Sequence, residues 1–256
     1  MKWGIIYMAF GDAHFSELEQ SLATVRHHMP DVEVTVYTDS ERSVEGATST
    51  VPITGSVYDR AVHIDCLERS PYETTLCLDT DTWICESLEP VAGLMERFDV
   101  AGVHAPHANR HEAELTGIPI QFRTFNAGVF FLKRSACTDE FLALWKRIYR
   151  VHQQDPDPMM FKGQDRVVRV QPSLREAVYR SDVRPLVLPV EYNFRIPGAG
   201  YVEGAVKVLH GRAEWLPGLA EKINARNDRR FCMTDGRRVQ MVPRRLVAGI
   251  RQRLRL

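Results

Sequence analysis

Hydrophobic and polar positions along this 256-residue chain fall into short alternating blocks. Residues 3–10 (WGIIYMAF) are almost continuously apolar, the pattern of a strand covered on both faces of a parallel sheet. Leu18, Leu22, Val25 and Met29 then recur at helical spacing, and Pro30 stops that helix. Val32, Val34 and Val36 alternate with polar residues, which predicts a second strand ending at Tyr37-Thr38-Asp39. A third short strand is expected over residues 48–53, and Val57, Ala61, Ile64 and Leu67 mark a helix before Pro71. The next strand, TTLCL at residues 74–78, runs straight into Asp79. Further strands are expected over residues 99–103 and 127–132. Thr138 is read as the cap of a helix whose inner stripe is Phe141, Leu144, Trp145, Ile148 and His152. Segments 104–124 and 191–205, rich in His, Gly and Pro, read as long loops over a site.

Strands alternating with helices predict an α/β fold, a mostly parallel central sheet flanked by helices on both faces. In such sheets ligands bind beyond the carboxyl ends of the strands, where Thr38-Asp39 and Asp79-Thr80-Asp81 both fall. The length suits a single domain over residues 1–242 with a C-terminal addition, 243–256. The opening apolar run is too short to span a membrane and lacks a cleavage site, so it reads as a first strand and not a signal. Cys66, Cys77, Cys85, Cys137 and Cys232 form no CxxC pair, which argues against a zinc site or a disulfide scaffold. A reducing, cytoplasmic setting is expected.

Charge refines this picture. The chain is neutral overall, yet residues 1–100 carry 18 acidic against 6 basic side chains, and residues 101–256 carry 15 against 27. An acidic half could host a cation and a basic half could attract phosphates, or the two could simply neutralise each other across one fold. In the tail, Arg244, Arg245, Arg251, Arg253 and Arg255 surround Leu246, Val247, Ile250 and Leu254. That pattern suits either a peripheral contact with an anionic membrane or a helix packed on its own domain. No nucleic-acid partner is expected.

The chemistry concentrates at Asp79-Thr80-Asp81. Two carboxylates one residue apart, just past a buried strand, suit a hard divalent cation such as Mn²⁺ or Mg²⁺ shared with substrate phosphates. Haloacid-dehalogenase-type phosphatases place DxDx[TV] after a strand, but the fifth position here is Trp83. An EF-hand loop is excluded because position 83 is neither acidic nor Asn.

An ordered series of motifs over residues 3–215 resembles the nucleotide-diphospho-sugar transferase (GT-A) fold, most closely glycosyltransferase family 8 and its relatives. Met8-Ala9-Phe10 resembles the nucleoside-binding strand end, with Ala9 and Phe10 as contacts. Thr38-Asp39 resembles the position that meets the base, and Tyr58-Asp59-Arg60 the segment whose basic residue reaches the diphosphate or sugar. Leu78-Asp79-Thr80-Asp81-Thr82 resembles the family's LDxDT metal site, and Phe125-Asn126-Ala127-Gly128-Val129 its FNAGV sugar platform. Gly163-Gln164-Asp165 resembles the segment near the anomeric carbon, Tyr192-Asn193 the YN before the last site strand, and Val208-Leu209-His210-Gly211 the strand whose His completes the metal sphere. The family's HxxGxxKPW run is here His210-Gly211-Arg212-Ala213-Glu214-Trp215, so Arg212 stands in for a phosphate-binding lysine and would meet phosphate as a planar fork.

The resemblance implies a metal-dependent glycosyltransferase of hexosyltransferase type that retains anomeric configuration. A UDP-sugar is the expected donor, and a hydroxyl of a lipid-linked or cell-surface glycan is one candidate acceptor. Asp79, Asp81 and His210 would hold Mn²⁺ or Mg²⁺; Thr80 would contact the nucleotide. Asn126, Ala127 and Gly128 would meet the sugar, Gly211 and Arg212 the diphosphate, and Gln164 and Asp165 the reacting centre. Plainer roles stay open: a turn at 126–128, a structural His210, a helix N-terminus at 164–165 and a surface Arg60. His104, His107 and His111 could form a metal cluster but read better as a loop near the acceptor. The functional alternatives are a nucleotide-sugar-binding protein without transfer and a sugar-phosphate nucleotidyltransferase. The second is disfavoured because no glycine- and lysine-rich loop follows the first strand.

Overall fold

A computed structural model describes residues 2–40, 42–53, 59–106, 113–114, 116–154, 161–162, 167–213 and 215–243. The N-terminal apolar run becomes β1 (Trp3–Ala9), flanked by β2 (Glu33–Thr38) and, beyond it, β3 (Ser49–Pro52). On the other side lies β4 (Thr74–Leu78), every residue of which is buried. These four strands are mutually parallel. The short β5 (Thr82–Ile84) follows β4 and leaves the sheet. The main sheet continues through β6 (Val100–His104) and β7 (Phe125–Lys133). The two-residue strands β8 (Phe161–Lys162) and β9 (Val167–Val168) pair with each other, and β10 (Pro185–Val187) adds the far edge. The seven-stranded order is β10-β6-β7-β4-β1-β2-β3, with only β7 running against its neighbours.

Both faces of the sheet are covered, as its continuous apolar strands require. Helices α1 (Asp12–His28) and α3 (Glu89–Leu94) lie over the face carrying Ile5, Tyr7, Leu76 and Leu78. Helices α2 (Ala61–Glu68), α4 (Ala136–Gln154) and α5 (Val170–Arg180) cover the face carrying Ile6, Cys77 and Phe130. Trp145 in α4 is fully buried and donates its indole N–H to Ser173 in α5 at 3.0 Å. Each such large buried side chain contributes about 1.5–3 kcal/mol to folding.

Residues after β10 form two small sheets. One joins β11 (Phe194–Arg195), β13 (Val208–His210) and β5; the other joins β12 (Gly198–Val202), β14 (Arg230–Thr234) and β15 (Val239–Pro243). Helix α6 (Leu216–Asn224) packs with a third apolar cluster that includes Phe194, Leu209 and Cys232.

Several local expectations are corrected. The segment 191–205 is no loop: it holds the end of a 3₁₀ turn (Val190–Asn193), β11 and β12, whose mixed burial hides any clear period. Helix α4 is capped by Ser135 and not by Thr138. The Thr138 N–H donates to Ser135 Oγ at 3.2 Å, while the Ser135 N–H donates to Thr138 Oγ1 at 2.8 Å. This reciprocal box makes Thr138 a buried first-turn residue. Strand β7 begins at Phe125, two residues earlier than expected, so Asn126 and Gly128 belong to a strand and not to a turn. Val57 lies outside the described residues, and α2 starts at Ala61. Among the described residues, no helix is long and apolar enough to cross a membrane.

Candidate metal centre

Asp79 and Asp81 stand where the apolar strand β4 ends. The Asp79 N–H donates to the Gly128 carbonyl at 2.8 Å, extending the β4–β7 ladder by one rung. Thr82 Oγ1 donates to the Asp79 carbonyl at 2.8 Å and lies 2.8 Å from Ser21 Oγ, which is 2.8 Å from Tyr7 Oη. This buried chain of hydroxyls ties the acidic turn to α1 and β1, and burial pushes the Tyr7 phenol well above its ordinary value. β5 then pairs antiparallel with β13, placing Thr82 opposite His210. The Gly211 N–H closes the register on the Asp81 carbonyl at 2.9 Å.

His210 therefore arrives at the acidic pair through strand pairing. Its Nε2 lies 3.4 Å from Asp79 Oδ2 and 3.3 Å from Asp81 Oδ1. One ligand atom from each of the three residues lies within 4.8 Å of the others, the only such metal-capable cluster among the described residues. Oxygen ligands about 2.1 Å from an octahedral Mg²⁺ lie roughly 3 Å apart, so the set fits a small divalent cation.

Two further features support that fit. A Cβ on Gly128 would come within 2.2 Å of Asp79 Oδ2 and 2.3 Å of His210 Cε1, so only glycine leaves room for the cluster. The other imidazole nitrogen, Nδ1, is 2.9 Å from Asn193 Oδ1. The Asn193 amide in turn donates to Asn126 Oδ1 at 3.1 Å, and the Gly128 N–H donates to that same oxygen at 3.0 Å. With its NH₂ group committed to Asn126, Asn193 offers only its oxygen to the histidine. Nδ1 is thereby made the donor, and Nε2 faces the carboxylates. Orientation of a ligating histidine by a partner on its second nitrogen is the usual arrangement in metal sites.

Charge in the cluster is strongly coupled. Partial desolvation opposes ionisation of Asp79, whose side chain keeps 45% of its exposure, but the His210 hydrogen bond and charge, with help from His63 and Arg195, hold its carboxyl far below the usual range. Asp81 is lowered against the same burial by His210 and Arg195. Burial would depress His210, yet its hydrogen bonds to Asp79 and Asp81 and the charge of Asp79 raise it above its ordinary value. Behind the site, burial pushes the His63 imidazole down to about 4.

Beside the cluster opens a cavity of about 310 Å³ lined in part by Glu17, Thr80, Asp81, Gly211 and Arg212. Thr80 Oγ1 donates to Glu17 Oε2 at 3.1 Å, and Arg212 grips both oxygens of Glu17 through Nε and a terminal nitrogen. His14 also approaches Glu17, at 3.5 Å. Ala9 and Phe10 lie at the end of β1 and Thr38 at the end of β2. The Gly11 N–H donates to Asp39 Oδ1 at 3.2 Å, joining those two strand ends. Arg60 precedes α2 and its backbone N–H donates to Tyr149 Oη at 3.0 Å. His104 ends β6, against the Phe125 ring. Tyr58, His107, His111, Gln164, Asp165, Glu214 and residues 244–256 lie outside the described residues. Glu17 and the anchoring role of Asn193 escape sequence reasoning. Glu17 belongs to an ordinary polar helix face, and Asn193 stands in a segment with no periodicity.

A mostly parallel sheet with one antiparallel strand, and an Asp-x-Asp turn meeting a distant histidine at its carboxyl edge, define a GT-A architecture. No family model matches the sequence, and no curated protein does. Among solved structures, an active-site mutant of LgtC shares the fold at 15% identity over 87% of this chain and 94% of that one, with a TM-score of 0.57. The galactosyltransferase LgtC in complex with donor and acceptor sugar analogs shares it at 14% identity, covering 87% and 95%, with a TM-score of 0.54.

Proposed function

We propose that this protein is a glycosyltransferase moving a sugar from a nucleoside diphosphate sugar, a UDP-sugar, to a hydroxyl acceptor with retention of configuration. The observation that carries the reading is the meeting of Asp79, Asp81 and His210 around the Cβ-free space of Gly128. Two carboxylates and one imidazole would hold Mn²⁺ or Mg²⁺ there; when bound, the cation neutralises charge on the departing diphosphate. Gly211 and Arg212 border the adjoining cavity and would receive the diphosphate, Arg212 exchanging Glu17 for phosphate oxygens. Thr80, Ala9, Phe10, Thr38 and Asp39 would bind the nucleotide along the strand ends, with Arg60 reaching the donor from the start of α2. Asn126, Ala127 and Gly128, at the start of β7, would meet the sugar. Gln164 and Asp165 would stand at the reacting centre. The acceptor hydroxyl would attack from the face the diphosphate leaves, passing its proton to that leaving oxygen.

A thermal-shift panel of nucleotide sugars with and without Mn²⁺ tests this. A ligand at 100 times its Kd adds about 2.7 kcal/mol, a rise of roughly 5–10 °C for a chain of this size. The expected result is a cation-dependent shift with a UDP-sugar that Asp79→Asn abolishes, together with sugar transfer or slow donor hydrolysis. A shift with no turnover on any acceptor or water would demote the protein to a binder. Product formation from a nucleoside triphosphate and a sugar phosphate would overturn the reading.

A further inference from the structure

Among the described residues, Trp215 carries the largest exposed apolar side chain, 57% open to solvent. It stands five residues beyond His210, so its Cα lies within about 18 Å of that residue's Cα even if the chain between them were fully extended. Ala213, two residues before it, and Leu216, directly after it, both line the cavity beside the metal centre, as does Arg212.

A lone exposed apolar residue is ordinary on a protein surface, but the setting of this ring is not. Trp215 caps α6, and its carbonyl accepts the Leu219 N–H at 3.2 Å. A Cβ on Gly218 would lie 2.1, 2.2 and 2.4 Å from Cζ3, Cε3 and Cη2 of the indole. Three adjacent ring atoms at nearly equal distance mean that the flat face of the six-membered ring, and not its edge, rests on the glycine. Lys222, one turn further along α6, holds its ammonium 5.7 Å from the ring centroid, a cation–π contact that restrains the ring further. Glycine inside a helix is less stable than alanine, because its backbone is freer in the unfolded chain. At position 218 it leaves room for the indole to lie flat, so that the exposure falls on the opposite face.

We propose that this ring is a stacking platform for the acceptor, a pyranose of a saccharide whose reacting hydroxyl reaches the metal centre. The proposal rests on the glycosyl-transfer reading. A pyranose presents a face of C–H bonds whose partial positive charge meets the negative π-face of the indole, and both surfaces leave water. The sugar hydroxyls stay at the rim and remain hydrated. The cavity bordered by Gly211 and Arg212 goes to the donor's diphosphate, so the open ring beside it falls to the other substrate. A nucleobase would stack on an indole as well, but the nucleotide contacts proposed above lie at the ends of β1 and β2 and not on α6.

The test follows the Trp215 indole N–H by NMR in the full chain with Mn²⁺ and UDP, the signal being identified by its loss in Trp215→Leu. The probes are the methyl glycosides of glucose, galactose and mannose, with sorbitol as a polyol that has no pyranose face. At least one glycoside is expected to move the signal saturably, and sorbitol to leave it in place. Trp215→Ala and Gly218→Ala, the second displacing the ring, should each weaken binding of that glycoside about tenfold, read by saturation transfer to the sugar. Trp215→Phe should restore part of the loss. No response of Trp215 to any glycoside, or undiminished glycoside binding by both folded variants, would overturn the proposal. So would a Trp215 shift caused by UDP alone together with loss of UDP binding in Trp215→Ala, which would put the base on the ring. Each of these failures leaves the transfer reading standing while the wild type binds UDP with Mn²⁺; absence of that binding sinks the transfer reading instead.

Discussion

Gly128→Ala is the sharpest probe of the metal centre because it adds one carbon where two ligands meet. The new Cβ would lie 2.2 Å from Asp79 Oδ2 and 2.3 Å from His210 Cε1, inside any tolerable contact distance. Gly128 is not at a positive φ, so the backbone itself accepts alanine. The imidazole cannot swing freely, because Asn193 holds its Nδ1 and the residue is almost fully buried. Asp79 is the softer partner: its side chain is 45% exposed and can rotate outward. Rotation relieves the clash but removes a ligand. Fold stability should therefore drop by about 1–3 kcal/mol, the usual cost of overpacking. Divalent-cation affinity should fall by about 10–100-fold, as when a ligand's support is lost. Isothermal titration with Mn²⁺, alongside thermal melting without metal, separates the two effects. Gly93→Ala in α3 is the control, since a Cβ there meets nothing and alanine should stabilise the helix by about 0.5–1 kcal/mol. Wild-type Mn²⁺ affinity in Gly128→Ala would refute the assignment of this pocket.

Other outcomes follow from the same geometry. Asn193→Ala should leave His210 free to turn and weaken Mn²⁺ binding about tenfold or more; titration that matches wild type would show that the amide network does not orient the ligand. Glu17→Gln should release Arg212 for the diphosphate and tighten donor binding. The gain is limited to about 1 kcal/mol, or roughly fivefold, because Arg212 is largely exposed; weaker donor binding would assign Glu17 a direct role. Asp99 accepts the Arg184 backbone N–H and both guanidinium contacts at 2.8–2.9 Å, which lowers its carboxyl and ties β10 to β6. A lowered carboxyl stabilises the fold above its unfolded value near 4 and loses that contribution as pH falls through the folded value. Asp99→Asn should therefore cost about 1–2 kcal/mol near neutrality. Urea melts from pH 7 downward should show the gap closing in acid, and a constant gap would exclude the linkage.

The sequence by itself determined the α/β layering, because the strands buried on both faces must be apolar almost throughout. Residues 3–10 and TTLCL could hardly be read otherwise, and both became central strands. It also determined where chemistry would collect, since a charged pair directly after a buried strand has to emerge at the sheet's carboxyl edge. The motif resemblance also named His210 and residues 126–128 as neighbours of that pair, and tertiary structure supplied the contacts that join them. His210 reaches it through β5–β13 pairing, a contact between segments whose local composition carries no trace of one another. Gly128 matters for the atom it lacks, which is visible only once Asp79 and His210 occupy the space. Asn193, named from the sequence only as part of a Tyr-Asn motif, and Glu17, on an ordinary polar helix face, gain their roles when folding sets one beneath an imidazole and clamps the other on Arg212. The Trp215 platform was hidden for a related reason. A tryptophan three residues before a glycine reads as an ordinary helix start, and only the folded α6 lays the ring on Gly218.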